Sequence, residues 1–174
     1  MIFHKLSCLI KGQRGFTLIE VIVALAITSL IGLGATVAAG QVLTQGARNS
    51  DYTTASRHAM NAAYWISRDA QMSQTIEPSG ASGFPLTLCR TDWDNSEYQI
   101  IYSIEDDKLR RSYSIDGDEQ NQTIVAQYIN SVSGNTSCAF SDRVLAFGVT
   151  ATVGEDSHEL SVTKVREITP RPGL

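Results

Sequence analysis

Gly12–Gly40 reads GQRGFTLIEVIVALAITSLIGLGATVAAG. One acidic residue, Glu20, heads a long apolar run. From Val21 to Gly40 there are twenty residues without a charge, about the number a helix needs to cross the ~30 Å hydrocarbon layer. Lys5, Lys11 and Arg14 precede the run and few charges follow it closely. The positive-inside bias predicts a cytoplasmic N-terminus and an extracytoplasmic position for everything after Gly40. A cleaved secretory signal is the simpler alternative. It would have a shorter apolar part and a small-residue cleavage site, for which only Ala38-Ala39-Gly40 offers itself.

Glu20 needs a reason to be there. A charge at the centre of a membrane helix costs roughly 2.5–3.5 kcal/mol on insertion scales. Near the end of the run the cost is smaller, but a cation is still wanted. A cut between Gly15 and Phe16 would supply one, because Phe16 would then carry a free ammonium at a helix N-terminus, where the macrodipole is already positive. Glu20 lies four residues on, one helical turn away. It can neutralise its own amine or that of a neighbouring copy, which predicts lateral packing of helix on helix.

Lys11-Gly-Gln-Arg-Gly15 followed by Phe16-Thr-Leu-Ile-Glu20 resembles the prepilin processing site of type IV pilins and type II secretion pseudopilins. The resemblance implies a removed leader over residues 1–15. It implies a prepilin peptidase that cuts after Gly15 and N-methylates Phe16, with Glu20 as the assembly carboxylate. The implied partners are that peptidase, other pilins or pseudopilins met through the N-terminal helix, and an inner-membrane assembly platform. The implied location is the bacterial inner membrane, single-pass, then a pilus or pseudopilus. Leu6–Ile10 makes the leader oilier than the family pattern.

The remainder resembles a J-type minor pseudopilin. The features are Tyr64-Trp65-Ile66-Ser67-Arg68-Asp69, a Tyr-rich hairpin, and a last strand ending in Ile168-Thr-Pro-Arg-Pro. A minor pilin of a type IV or competence pilus, serving adhesion, motility or DNA uptake, shares every N-terminal feature. A membrane-anchored extracytoplasmic binding module is the alternative from another class.

Composition fits one modest domain behind this element: 174 residues, 43% hydrophobic and 18% charged. Formal net charge is −4, and without the three leader cations eleven basic residues face eighteen acidic ones. An acidic body without a polybasic patch argues against binding nucleic acid. There are three cysteines, without a CxxC or Cys/His cluster of the kind that holds zinc. Once the leader carrying Cys8 is gone, Cys89 and Cys138 remain as an even pair. They are either a disulfide in an oxidising compartment or two buried free thiols.

All four prolines lie at position 78 or later, so nothing earlier forbids one continuous helix. Tyr52, Ala55, Ala59, Ala62, Ala63, Ile66 and Ala70 recur at helical spacing and predict one apolar face. Arg48, Asp51, Arg57, Asn61 and Arg68 populate the rest. Gly32, Gly34, Gly40 and Gly46 interrupt the helix at about 1 kcal/mol each, for close helix packing or for local melting within a fibre.

After Glu77-Pro-Ser-Gly-Ala-Ser-Gly83, expected as helix stop and loop, the pattern turns to period two. Strands are expected at 84–90, at 98–104 and 109–115 as a hairpin, and at 144–153 and 160–168 as a second hairpin around Gly154-Glu-Asp-Ser. Residues 123–129 fit a weaker strand or a helical turn. The fold class expected is α+β, a long N-terminal helix packed on a C-terminal antiparallel β-sheet in the manner of pilins. Its parts are a leader (1–15), a transmembrane and assembly helix (16–40), an amphipathic helix (41–77) and a β globular part (84–174).

No catalytic grouping emerges from His4, His58 and His158, and no phosphate loop is present, so no enzyme activity is expected. Two acidic clusters carry oxygen ligands that suit Ca²⁺: Asp92, Asp94, Asn95 and Glu97, and Asp116, Asp118 and Glu119 around Gly117. Neither has EF-hand spacing, and solvated turns are the plainer reading; no cofactor is expected otherwise. Trp65 and Trp93 read as core or interface anchors. Arg110-Arg111 beside Tyr113 is the one hint of nucleic-acid capture.

Overall fold

The computed structural model describes residues 15–132, 134–154 and 159–171. Of the leader expected over 1–15, all but Gly15 lies outside the described residues, with Lys5, Cys8, Lys11, Arg14 and His4, as do His158 and the turn at 155–158. The chain divides into two compact units, ending and beginning at Gln45 and Gly46. One helix, α1 (Leu18–Met72), starts in the first and finishes in the second.

In the first unit α1 is exposed at every described residue. Its hydroxyls are nevertheless satisfied. Thr28 and Ser29 donate to the carbonyls of Ala24 and Leu25, and Thr36 and Thr44 to those of Gly32 and Gly40, at 2.7–2.9 Å. These i−4 bonds let polar side chains sit in a nonpolar medium without an unpaired group. Gly32, Gly34, Gly40 and Gly46 do not break the helix, and a Cβ at any of them would meet nothing within 4 Å.

In the second unit α1 buries Ala55, Ala59, Ala62, Ala63, Ile66 and Ala70 against two antiparallel sheets. This is the predicted face less Tyr52, which points outward. The helix contributes mostly alanines, so the large core residues come mostly from the sheets: Leu86, Leu88, Tyr102, Leu109, Leu145 and Val149 are fully buried.

The helix ends at Met72, short of the expected 77. Ser73 is buried; its hydroxyl donates to the Asp69 carbonyl at 2.7 Å, satisfying an acceptor left over at the helix end. The Gln74 amide then donates to the Cys89 carbonyl at 2.9 Å, and β1 (Thr75–Pro78) pairs with β2 (Leu86–Thr91). β-Branched Thr75 and Ile76 suit a strand once a partner edge exists. Glu77 and Pro78 therefore belong to a strand, not to the expected loop.

The larger sheet is a meander, β1-β2-β3-β4-β5, with β3 at Glu97–Glu105, β4 at Lys108–Ile115 and β5 at Asp118–Gln127. The ambiguous segment near 123–129 is thus a strand. The turns Asp106-Asp107 and Asp116-Gly117 have φ of 50°, 55°, 51° and 88°. Both central residues left-handed is the two-residue hairpin geometry that suits twisted strands. β4 and β5 slip register at Leu109/Arg110 and at Tyr113/Ser114. The first slip lets Val125 and Ala126 both turn inward, against strict alternation.

The smaller sheet has the order β6-β7-β8, at Ser137–Ser141, Val144–Val153 and Leu160–Ile168. β6 was not expected; its turn, Asp142-Arg143, is again left-handed at both residues. Where β6 stops pairing at Gly148, Ile129 bridges to Ala151 of β7. This joins the segment after β5 to the second sheet.

Candidate functional site

α1 begins one residue after Thr17, and the Thr17–Glu20 pair forms its start. The Thr17 amide and hydroxyl donate to Glu20 Oε2 at 2.8 and 2.9 Å, and the Glu20 amide donates to Thr17 Oγ1 at 3.3 Å. This is a capping box: each side chain satisfies an amide that the helix cannot. The Thr-x-x-Glu spacing carries this cap in the sequence, beside the pairing and assembly role expected for Glu20. Glu20 thus has a local partner before any processing. Both bonds from Thr17 land on Oε2, so among the described residues Oε1 makes no hydrogen bond. Gly15 and Phe16 lie just ahead of the box, with Phe16 87% exposed. Around the proposed cut the chain is reachable, and past it the helix is already capped.

Among the described residues α1 is long and apolar enough to cross a membrane, and none of its apolar window is buried. Phe16, Leu18, Ile19, Leu25, Leu30 and Leu33 are all more than half exposed. An apolar surface this extended marks a membrane or another chain as the intended neighbour.

Of the two alternatives for the cysteines, the structure shows the free thiols. Cys89 and Cys138 are free thiols on strands of different sheets. Cys138 Sγ is turned to the Gly83 carbonyl at 2.8 Å, and burial pushes its pKa up to about 12. Gly83 has φ +81°, and a Cβ there would strike the Cys138 carbonyl. This close approach holds the thiol in place. Burial likewise raises the Cys89 pKa, ahead of smaller hydrogen-bond and charge effects.

The calcium candidates are not brought into a metal cage. Among the described residues no three His, Cys, Asp or Glu side chains converge as a metal would require. Asp92 and Asp94 instead accept from the amides of Trp93 and Ser96 at 2.8 and 3.0 Å, and Asp116 accepts from the Glu97 amide at 2.8 Å. Asp118 opens β5 and stays exposed, as does Glu97 at the start of β3. Carboxylates used on backbone amides are holding turns. Arg110 and Arg111 point to opposite faces and meet carboxylates, Glu105 at 3.4 Å and Asp69 at 2.7 Å. Trp93 is 91% exposed and so is no core anchor.

One polar group was missed altogether. Asp69, 6% exposed, accepts from the Tyr102 hydroxyl at 2.5 Å and from Arg111 Nε at 2.7 Å. Burial first, and then the Asp69 charge, hold the Tyr102 pKa above its ordinary value. Burial opposes the Arg111 charge, but the Asp69 bond and charge outweigh it and raise that pKa. The group locks α1 to the middle of the larger sheet. At the sheet's margin Asn61 donates to the Val125 carbonyl at 2.6 Å, and His58 Nδ1 accepts the Gln127 amide at 3.2 Å.

No curated protein and no solved structure matches the chain. Residues 10–36 match the family described as Prokaryotic N-terminal methylation motif. The match spans the apolar head of α1 and none of the body from Gly46 onward. The chain therefore carries at its N-terminus a prepilin-type methylation motif, which supports a pilin- or pseudopilin-type subunit.

Proposed function

We propose that this protein is a structural minor subunit of a type II secretion-like pseudopilus. It is made as a prepilin in the bacterial inner membrane, N-terminus inward and body outward. Prepilin peptidase cuts it after Gly15 and methylates Phe16. The mature helix then leaves the membrane laterally and packs among those of other pseudopilins on an inner-membrane platform. The reading assigns no catalysis and no cofactor to the chain.

The observation that carries it is the conjunction at the head of α1: a capped Glu20 whose Oε1 makes no hydrogen bond among the described residues, ahead of an apolar helix surface that the described residues leave exposed. In a bare membrane anchor the cap needs only an acceptor, and the charge has no further use. In an assembling helix it has one, because a neighbour's Phe16 ammonium can dock on Oε1 while Oε2 keeps the cap. The resemblance of the body to a minor pseudopilin favours secretion over a pilus.

Glu20→Gln tests the pairing. The amide keeps the acceptor that caps the helix but drops the charge. Membrane insertion and body folding should match wild type, while incorporation into sheared fibres should fall at least tenfold. Fibres containing the variant at wild-type level would refute the assembly role. Loss of fibres and of DNA uptake, with secretion intact, would move the protein to a competence pilus.

A further inference from the structure

Three rows of side chains cross the face of the larger sheet that meets α1: Leu86–Tyr102–Arg111, Leu88–Ile100–Tyr113 and Arg90–Tyr98–Ile115. Exposure rises in that order. Leu86 and Tyr102 are fully buried, whereas Arg90, Tyr98 and Ile115 are only half-buried. There, at the last turns of α1, lies an open cleft of about 320 Å³ whose wall includes Trp65, Arg68, Arg90, Tyr98, Arg111 and Tyr113, together with the Asp69 carboxylate.

Its guanidiniums and rings alternate. Arg68 and Arg111 stand 5.5 and 5.4 Å from the Trp65 ring, Arg111 also 5.6 Å from Tyr113. Tyr113 stacks on Tyr98 at 6.0 Å, and Arg90 lies 4.7 Å over Tyr98. Stacking on rings orients a guanidinium without using up its donors.

Asp69 occupies Arg111. Among the described residues neither Arg68 nor Arg90 has an acidic partner; Arg90 Nε, like Arg110 Nε, is buried with no hydrogen-bond partner, but Arg110 has Glu105 beside it. A buried donor left unpaired is costly, and a carboxylate is the acceptor that matches a guanidinium best. Asp92 and Asp94 lie close enough to Tyr98 to raise its pKa, after burial. They disfavour a polyanion such as nucleic acid at that end. What fits is an isolated carboxylate beside an apolar side chain.

We propose that this cleft binds a segment of another protein, in which one acidic side chain meets Arg68 and Arg90 while an apolar neighbour lies on Trp65 and Tyr113. Tryptophan, tyrosine and arginine are the residue types that dominate binding energy at protein interfaces. The site lies wholly in the body after Gly46 and does not depend on processing at Gly15.

The test uses the full chain in detergent micelles with Trp93→Phe, which leaves Trp65 as the sole tryptophan, since the chain has two. The probe is a capped pentapeptide, Ala-Leu-Glu-Leu-Ala, and its glutamine counterpart. Trp65 fluorescence should change saturably with the glutamate peptide, and the glutamine peptide should bind about tenfold more weakly, the worth of one charge-assisted bond. Arg68→Gln and Arg90→Gln should each weaken the glutamate peptide to a similar degree, and Arg110→Gln, at a residue paired with Glu105, should not.

Equal binding of the two peptides, no saturation, or indifference to Arg90→Gln would overturn the proposal. So would self-association in sedimentation that Arg90→Gln abolishes, because the occupant would then be a second copy of this chain.

Discussion

The two parts of α1 obey different rules. Up to Gln45 the helix is apolar all round, hides none of its described residues and holds its hydroxyls on its own carbonyls. From Gly46 it is two-faced: small residues go inward, a carboxylate is buried on purpose, and Asn61 and His58 stitch it to a strand. The first part is built for surroundings that the chain does not itself supply, and the second for a core that it does. Substitutions should therefore register in the body's stability on one side and only in membrane or fibre behaviour on the other.

The largest expected effect is at Asp69. Asp69→Ala strands the Arg111 charge and the Tyr102 hydroxyl and should cost about 3–5 kcal/mol, read by urea unfolding of the full chain in detergent. A loss below about 1 kcal/mol would mean that water already serves this group. Next, Ile66→Ala, at a fully buried position, should cost about 2–5 kcal/mol. Ile27→Ala, at a position 53% exposed, should shift the same transition by less than about 0.5 kcal/mol. Equal effects would erase the distinction between the two parts.

Below the two core losses, Gly32→Ala should favour the helix by about 1 kcal/mol, since nothing stands in the way of a Cβ. Circular dichroism of the micellar chain should show it. If that glycine serves close packing between subunits, the same substitution should lower incorporation into fibres. If it serves local melting, it should stiffen them with assembly kept.

The smallest effect is at His58. Burial first and Arg57 second hold its pKa below the ordinary value, and its Nδ1 must stay unprotonated to accept the Gln127 amide. A group with a lowered folded-state pKa binds protons more readily when unfolded, so stability is full above about pH 6.5 and declines as pH falls below it. His58→Gln should flatten that slope between pH 7 and 5.5. An unchanged slope would remove His58 from the account.

Much of this was legible because it is local. The helical face at Ala55, Ala59, Ala62 and Ala63 announces itself by spacing, and β3, β4, β7 and β8 by alternation around acidic turns. What was missed depends on distant partners. Thr75–Pro78 looked like the end of a helix and becomes a strand only because β2 offers an edge. Asp69 is a buried carboxylate only because Arg111, 42 residues later, folds over it, and no local pattern in the sequence signals that. The cysteines could be paired on paper, whereas the close approach of Gly83 turns one of them to a carbonyl. The capping box at Thr17 and Glu20 is local, and its Thr-x-x-Glu spacing stands in the sequence.

The account turns on whether the exposed part of α1 is a processed assembly element. Intact-mass and N-terminal peptide mass spectrometry of the protein, extracted from bacterial membranes with an active prepilin peptidase, measures this directly. The predicted result is a chain that begins at Phe16 and carries one methyl group on its amine. A functional chain that still begins at Met1 would contradict it.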